Sequence, residues 1–321
     1  KYCAGGGFMD FFNLQKKIFS EYFAGRYNEA LKSALEAKER FPDQFHRTGF
    51  WAACLYCRTG SPGKALLELE QALKKGAWWS ETVLLDEDLL PLREREEFAR
   101  IKEICRLRQA KAAEKSRPEL VVMEPPGRSG GSIYPLLLLL HGQGGNIESY
   151  APWWDIPDIR SSFVLAFLQS SQVCGLNQYC WDKFDLALDE VHQTFDRLQG
   201  QHGDAGPLLM AGFSQGGALA IRASLDAAGC AGFIAIVPGI REVKTFVEQV
   251  RDGRARGRRG CIITGDKDYG YARAVELAEA FLKNDFACKL IVVSGMGHAI
   301  PENFSPLLRQ AVDFVCGEQA K

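Results

Sequence analysis

Met210-Ala211-Gly212-Phe213-Ser214-Gln215-Gly216-Gly217-Ala218 is the stretch that decides how the chain is read. Residues 207–213 are apolar and strand-like, residues 215–227 follow a helical pattern, and G-x-S-x-G lies at their junction. That pattern marks a sharp strand-to-helix turn which pushes a serine hydroxyl outward. The flanking Gly212 and Gly216 suit such a turn because neighbouring backbone approaches too closely for a side chain. The start of the helix also sets backbone N–H groups, at the positive end of the helix dipole, beside any oxyanion that forms there.

A serine hydroxyl is a weak nucleophile until a base takes its proton and a third group orients the base. Two later segments offer these groups. Thr264-Gly265-Asp266-Lys267-Asp268 follows one apolar run, and Ser294-Gly295-Met296-Gly297-His298 follows the next. The order Ser, Asp, His along the chain, with each residue after a strand, is the order of α/β-hydrolases. Asp266 and Asp268 both remain open as the acid on this reading. A glycine-rich loop, His141-Gly142-Gln143-Gly144-Gly145-Asn146, follows an early apolar run. The amides of Gln143 and Gln215 are the expected pair of oxyanion donors, and His141 is expected to order its loop. His46, His192 and His202 have no nucleophile beside them and are assigned no chemistry.

Working outward, strand-like runs at 120–123, 134–140, 163–168, 207–213, 232–237, 261–264 and 289–293 alternate with helical stretches at 183–198, 215–227, 271–284 and 304–315. Such alternation predicts a mostly parallel sheet with helices on both faces and chemistry at the carboxyl ends of its strands. Before it, from Phe8 to Ala113, apolar residues return every three or four positions and no strand signal occurs. Gly25, Ala30, Leu31 and Ala37 recur as Gly60, Ala65, Leu66 and Ala72, an offset of 35 residues. This predicts helical hairpins in which alanines allow close approach and each glycine closes a helix. The stretch 78–104 reads as further helix broken at Pro91. The charged run 106–117 ends at Pro118, so the expected division is a helical-repeat domain over 1–114 and a catalytic α/β domain over 115–321.

Composition narrows the classes of function. The 321 residues, 46% hydrophobic and 25% charged, fit an ordinary globular protein of about two domains. A formal charge of −1 supplies no general attraction to nucleic acid or an anionic membrane. No apolar run approaches the roughly 20 residues of a membrane helix, and the first residues lack a secretory h-region, with Met9 a candidate start. Ten cysteines set mostly in apolar segments read as reduced thiols of a cytoplasmic protein. Cys54 and Cys57, though spaced C-x-x-C, lie in a helical pattern without a second pair and read as packing residues.

The combination Gly212-Phe213-Ser214-Gln215-Gly216-Gly217, His141-Gly142, Gly265-x-x-Asp268 and Gly297-His298 resembles the phospholipase/carboxylesterase branch of the α/β-hydrolases, from about residue 120 onward. The resemblance implies an α/β-hydrolase fold and hydrolysis of small acyl esters through an acyl-enzyme, with no metal or organic cofactor. It implies Ser214 as nucleophile, His298 as base and Asp268, three residues after the glycine, as orienting acid. Tyr271 departs from the branch, which more often has a small aliphatic residue there. The helical leader resembles tetratricopeptide repeats, which implies a protein partner.

Thioester and peptide hydrolysis are rival reactions on the same scaffold, and a non-catalytic interaction scaffold is the rival of another class. The aromatics Tyr150, Trp153, Trp154, Tyr179 and Trp181 follow strands, and the last four are expected to wall a substrate pocket. Arg251, Arg254, Arg256, Arg258 and Arg259 read as a solvated basic loop, without the aromatic residues that would stack nucleobases.

Overall fold

The computed structural model describes residues 6–127, 134–202, 206–253 and 255–317. Arg254 of the basic run and the first five residues lie outside the described residues. The contacts divide the chain into two compact units: one runs through Ser116 and includes Val173–Tyr179, and the other takes Arg117–Gln172 and everything from Cys180. No helix among the described residues is long and apolar enough to cross a membrane.

In the first unit, α1 (Gly6–Phe23), α2 (Tyr27–Arg40), α3 (Phe45–Arg58) and α4 (Pro62–Lys74) pack each on the next. Gly25 and Gly60 adopt φ +74° and +76°, left-handed values that suit glycine, and reverse the chain before α2 and α4. Ala30, Ala37 and Ala65 are fully buried and Ala72 nearly so, which lets the helices approach closely. At Gly49 on α3 an added Cβ would stand 3.1 Å from the Cβ of Ala72.

The expected helix over 78–104 is corrected to a short α5 (Glu81–Leu84), a 3₁₀ turn over Glu87–Leu92 and α6 (Glu96–Lys115). Ser80 and Asp86 each accept a hydrogen bond from a backbone N–H just downstream, at 3.3 and 2.9 Å, so each starts a new turn. Local side-chain competition of this kind interrupts a helix that periodicity alone would continue.

The second unit is built on a seven-stranded sheet. Its strands are β1 (Glu119–Met123), β2 (Leu136–Leu140), β3 (Val164–Gln169), β6 (Leu208–Phe213), β7 (Cys230–Ile236), β8 (Arg259–Gly265) and β9 (Ala287–Val293). The spatial order is β1-β3-β2-β6-β7-β8-β9, with β1 antiparallel to β3 and all other pairs parallel. Strands β4 (Val173–Gly175) and β5 (Gln178–Tyr179) form a separate hairpin, the segment grouped with the first unit, where the Ser80 N–H donates to the Cys174 carbonyl at 2.8 Å.

The five consecutive leucines of β2 are all buried because both faces of the sheet are covered. Leu137 and Leu139 join a core with Ile147 and Tyr150 of α7 (Ile147–Tyr150), Ile159 of α8 (Pro157–Ser162) and Phe304, Leu308 and Val312 of α13 (Phe304–Cys316). Leu136, Leu138 and Leu140 face the opposite core, against α9 (Phe184–His202) and α10 (Gln215–Asp226). Helices α11 (Lys244–Arg251) and α12 (Tyr271–Leu282) close a third cluster over β7 and β8. This layering carries the loops after β2, β6, β8 and β9 to the carboxyl ends of the parallel strands.

Candidate active site

Ser214 stands between β6 and α10 at φ +54°, ψ −118°, a conformation costly for a residue with a Cβ. Three bonds hold it there: its N–H donates to the Ile236 carbonyl at 2.9 Å, and its own carbonyl accepts from the N–H groups of Gly239 at 2.8 Å and Ala218 at 3.1 Å. The neighbouring glycines are a matter of space. A Cβ on Gly212 would lie 2.2 Å from the Gly216 carbonyl oxygen, and one on Gly216 would lie 2.3 and 2.4 Å from the carbonyl oxygens of Leu140 and His141. The strand-to-helix turn therefore closes only with both side chains absent.

Three loops bring the sequence-selected groups together. His298 Nε2 is 2.8 Å from Ser214 Oγ, and His298 Nδ1 is 2.8 Å from Asp268 Oδ1. A carboxylate only accepts, so Nδ1 carries the proton and donates to Asp268, which leaves the Nε2 lone pair to accept from the serine hydroxyl. Asp268 is 6% exposed, and its Oδ2 has no partner among the described residues. Asp266 does different work: its Oδ1 accepts from the Gly295 N–H at 2.7 Å and its Oδ2 accepts from the Ser294 hydroxyl at 3.2 Å, so it ties its loop to the one that carries His298. Phe213 packs against the imidazole, with ring centroids 5.3 Å apart.

Gln143 lies on the loop after β2, and Gln215 opens α10 directly after Ser214. Behind them lies a buried polar frame. His141 is wholly buried; its Nδ1–H donates to the Gly142 carbonyl at 2.8 Å and its Nε2 accepts from the Ser170 N–H at 3.3 Å. Burial pushes its pKa down to about 4, so the ring is neutral at pH 7 and suited to ordering the loop. Glu190, also buried, accepts from the N–H of Ser171 at 3.2 Å and from its hydroxyl.

Trp181 joins the His141 loop to the start of α10: its indole N–H donates to the His141 carbonyl at 2.8 Å, its ring stacks on His141 at 4.8 Å, and its backbone N–H donates to Gln215 Oε1 at 2.8 Å. Gln215 Nε2 then donates to Asp182 at 2.9 Å. The expectation that Trp154 and Trp181 wall a substrate pocket is corrected. They are 0% and 1% exposed, with no surface left for a ligand. Trp154 instead packs edge-on to Phe304 at 5.1 Å. Trp153 is half-buried against the same core, and Tyr179 lies on β5, in the body that contains the first six helices.

Sequence reasoning missed Tyr269. Its hydroxyl is 3.3 Å from His298 Nε2 and its ring stacks on the imidazole at 4.5 Å, 30° from parallel. Its place directly after Asp268 was the available signal. Elsewhere, Cys54 and Cys57 sit in the helical core. Cys54, Asp86 and Asp88 bring one ligand atom each within 4.8 Å of one another, but the Arg58 guanidinium already neutralises Asp88.

Comparison with known proteins bears on the fold. Residues 11–113 match the family described as A/B hydrolase-like, N-terminal domain. An uncharacterized protein from Bacillus cereus ATCC 10987 superposes with a TM-score of 0.53 at 22% identity, over 95% of this chain and 98% of that one. Est1E from Butyrivibrio proteoclasticus gives 0.49 at 15% identity, over 64% of this chain and 96% of that one. Zea mays acyl-protein thioesterase 2 gives 0.46 at 14% identity, over 62% and 99%. No curated protein matches the chain. The chain thus has the α/β-hydrolase fold, preceded by a helical segment that matches the A/B hydrolase-like N-terminal domain.

Proposed function

We propose that the protein is a serine hydrolase that cleaves carboxylic esters through an acyl-enzyme. One observation carries the reading: a serine held at φ +54° lies 2.8 Å from an imidazole whose far nitrogen lies 2.8 Å from a buried carboxylate. His298 Nε2 takes the Ser214 proton as Oγ bonds to the acyl carbon, and Asp268 holds the resulting imidazolium. The Gln143 and Gln215 amides receive the oxyanion, each such donor lowering the barrier by about 3 kcal/mol. The carbon–oxygen bond to the leaving alcohol breaks as Nε2 returns the proton to that oxygen. Water, deprotonated in turn by Nε2, then releases the acid and restores Ser214. His298 Nε2 relays each proton transferred in this cycle.

Thioester and peptide cleavage use the same triad, since the relay acts on the acyl group without choosing what leaves. The proposal keeps residues 115–321 as the catalytic domain and residues 1–114 as a helical domain for a protein partner, supported by the repeat pattern. The cytoplasmic reading goes with it, supported by cysteines sequestered in apolar cores. A fluorophosphonate probe is expected to label the wild-type protein on Ser214 and to leave Ser214→Ala unlabelled. Absence of labelling in the wild type would favour the interaction-scaffold reading.

A further inference from the structure

Nε2 of His298 has a second neighbour besides the nucleophile. Tyr269 Oη lies 3.3 Å from it. The ring stacks on the imidazole at 4.5 Å and 65% of the residue is exposed, while its hydroxyl meets Nε2. Nε2 must hand its proton to the departing atom, which comes within about 3 Å of it. An atom so placed on the side of Nε2 that faces Tyr269 comes into reach of Oη as well.

We propose that Tyr269 is a specificity residue that donates a hydrogen bond to the oxygen of the leaving alcohol, and that it thereby makes oxygen esters rather than thioesters the preferred substrates. The inference rests on the triad reading above and deepens it. Burial of the hydroxyl and the nearby Asp268 charge both raise the tyrosine pKa, so the phenol stays protonated and able to donate at neutral pH. Tyr269 keeps its own proton throughout; Nε2 supplies the proton that transfers.

The gain depends on the leaving atom. An alkoxide is strongly basic and a good acceptor, and its negative charge grows as the carbon–oxygen bond breaks. A hydrogen bond there strengthens in the transition state and raises the rate. Thiolate sulfur is less basic and a poor acceptor, so it draws little from the same hydroxyl.

The test compares the full chain with Tyr269→Phe, which keeps the stacked ring and loses only the hydroxyl. The substrates are an alkyl ester and an alkyl thioester with the same acyl and alkyl groups, and each variant is also treated with the fluorophosphonate. Equal labelling of both proteins, with the ester-to-thioester ratio of kcat/KM falling about tenfold in Tyr269→Phe, is the expected result. Equal labelling with an unchanged ratio overturns the role of Tyr269 and leaves the triad standing. An unlabelled wild-type protein overturns the triad reading and this inference with it.

Discussion

Two aspartates, one in each compact unit, are buried to nearly the same degree and serve opposite ends. Asp88 in the helical unit is 5% exposed; it accepts from the Tyr22 hydroxyl at 2.9 Å and from Arg58. Asp268 beyond β8 is 6% exposed, holds His298 through one oxygen and leaves the other without a partner. The first carboxylate is compensated and so supports its fold. The second is under-compensated, and its benefit falls on an imidazole rather than on stability. The same contrast runs through the backbone. Between the helices of the first unit, positive φ falls on glycines such as Gly25 and Gly60, whereas the site places Ser214 there. Strain of this kind gathers where a side chain must be presented for chemistry.

Exchanging these carboxylates for amides is the largest test of the contrast. Asp268→Asn is expected to lower kcat by about 10⁴-fold, while thermal unfolding shifts by no more than about 1 kcal/mol. Asp266→Asn, whose bonds only brace a loop, should cost less than about tenfold in rate by the same reasoning. Asp88→Asn should behave in the reverse sense and destabilise by about 2 kcal/mol, a value reduced because Arg58 is partly exposed. Equal rate losses at Asp266 and Asp268 would remove the distinction drawn between them.

A smaller effect sharpens the backbone half of the comparison. Gly216→Ala forces a Cβ to within 2.3 Å of a carbonyl oxygen and should cost about 3 kcal/mol or more, read as a shift in denaturant midpoint. Gly60→Ala meets nothing within 4 Å and bears only the left-handed penalty at φ +76°, about 1 kcal/mol.

Much of this was legible from residue order. The G-x-S-x-G turn, the run of five leucines and the 35-residue offset each depend on local chemistry or on period, which a sequence carries directly. Asp266 and Asp268 could not be separated on the residues alone, because they lie two positions apart on a loop and only the loop's path settles which carboxylate meets the imidazole. The hairpin at 173–179 left too short a strand signal to notice. Residue order points to Trp154 and Trp181 as pocket walls, because aromatic residues after strands often line one. Their burial depends on α13 and on the His141 loop, which are far away along the chain.

A pH dependence tests what the two regions have in common. His141 and His46 are both buried, and burial lowers each pKa from about 6.5 to about 4. A folded-state pKa below the unfolded one gives stability that is complete above pH 6.5, lost as pH falls toward 4 and level below that. Each histidine should contribute a slope of up to about 1.4 kcal/mol per pH unit in that window. Urea midpoints measured from pH 7 to pH 4 should therefore fall, and His46→Gln and His141→Asn should each flatten part of the decline. A slope unchanged in one variant would show that its histidine titrates normally.

By itself the sequence determined the helical leader, the mostly parallel sheet and the serine turn, because periodicity, glycine placement and the strand–turn–helix grammar act between near neighbours. Tertiary structure alone decided which aspartate reaches His298, that Tyr269 lies over the imidazole, and that Trp181 ties the His141 loop to Gln215. Those outcomes are distances of about 3 Å between residues as many as 40 positions apart. Only the packing of the whole sheet, with helices on both faces, sets such distances.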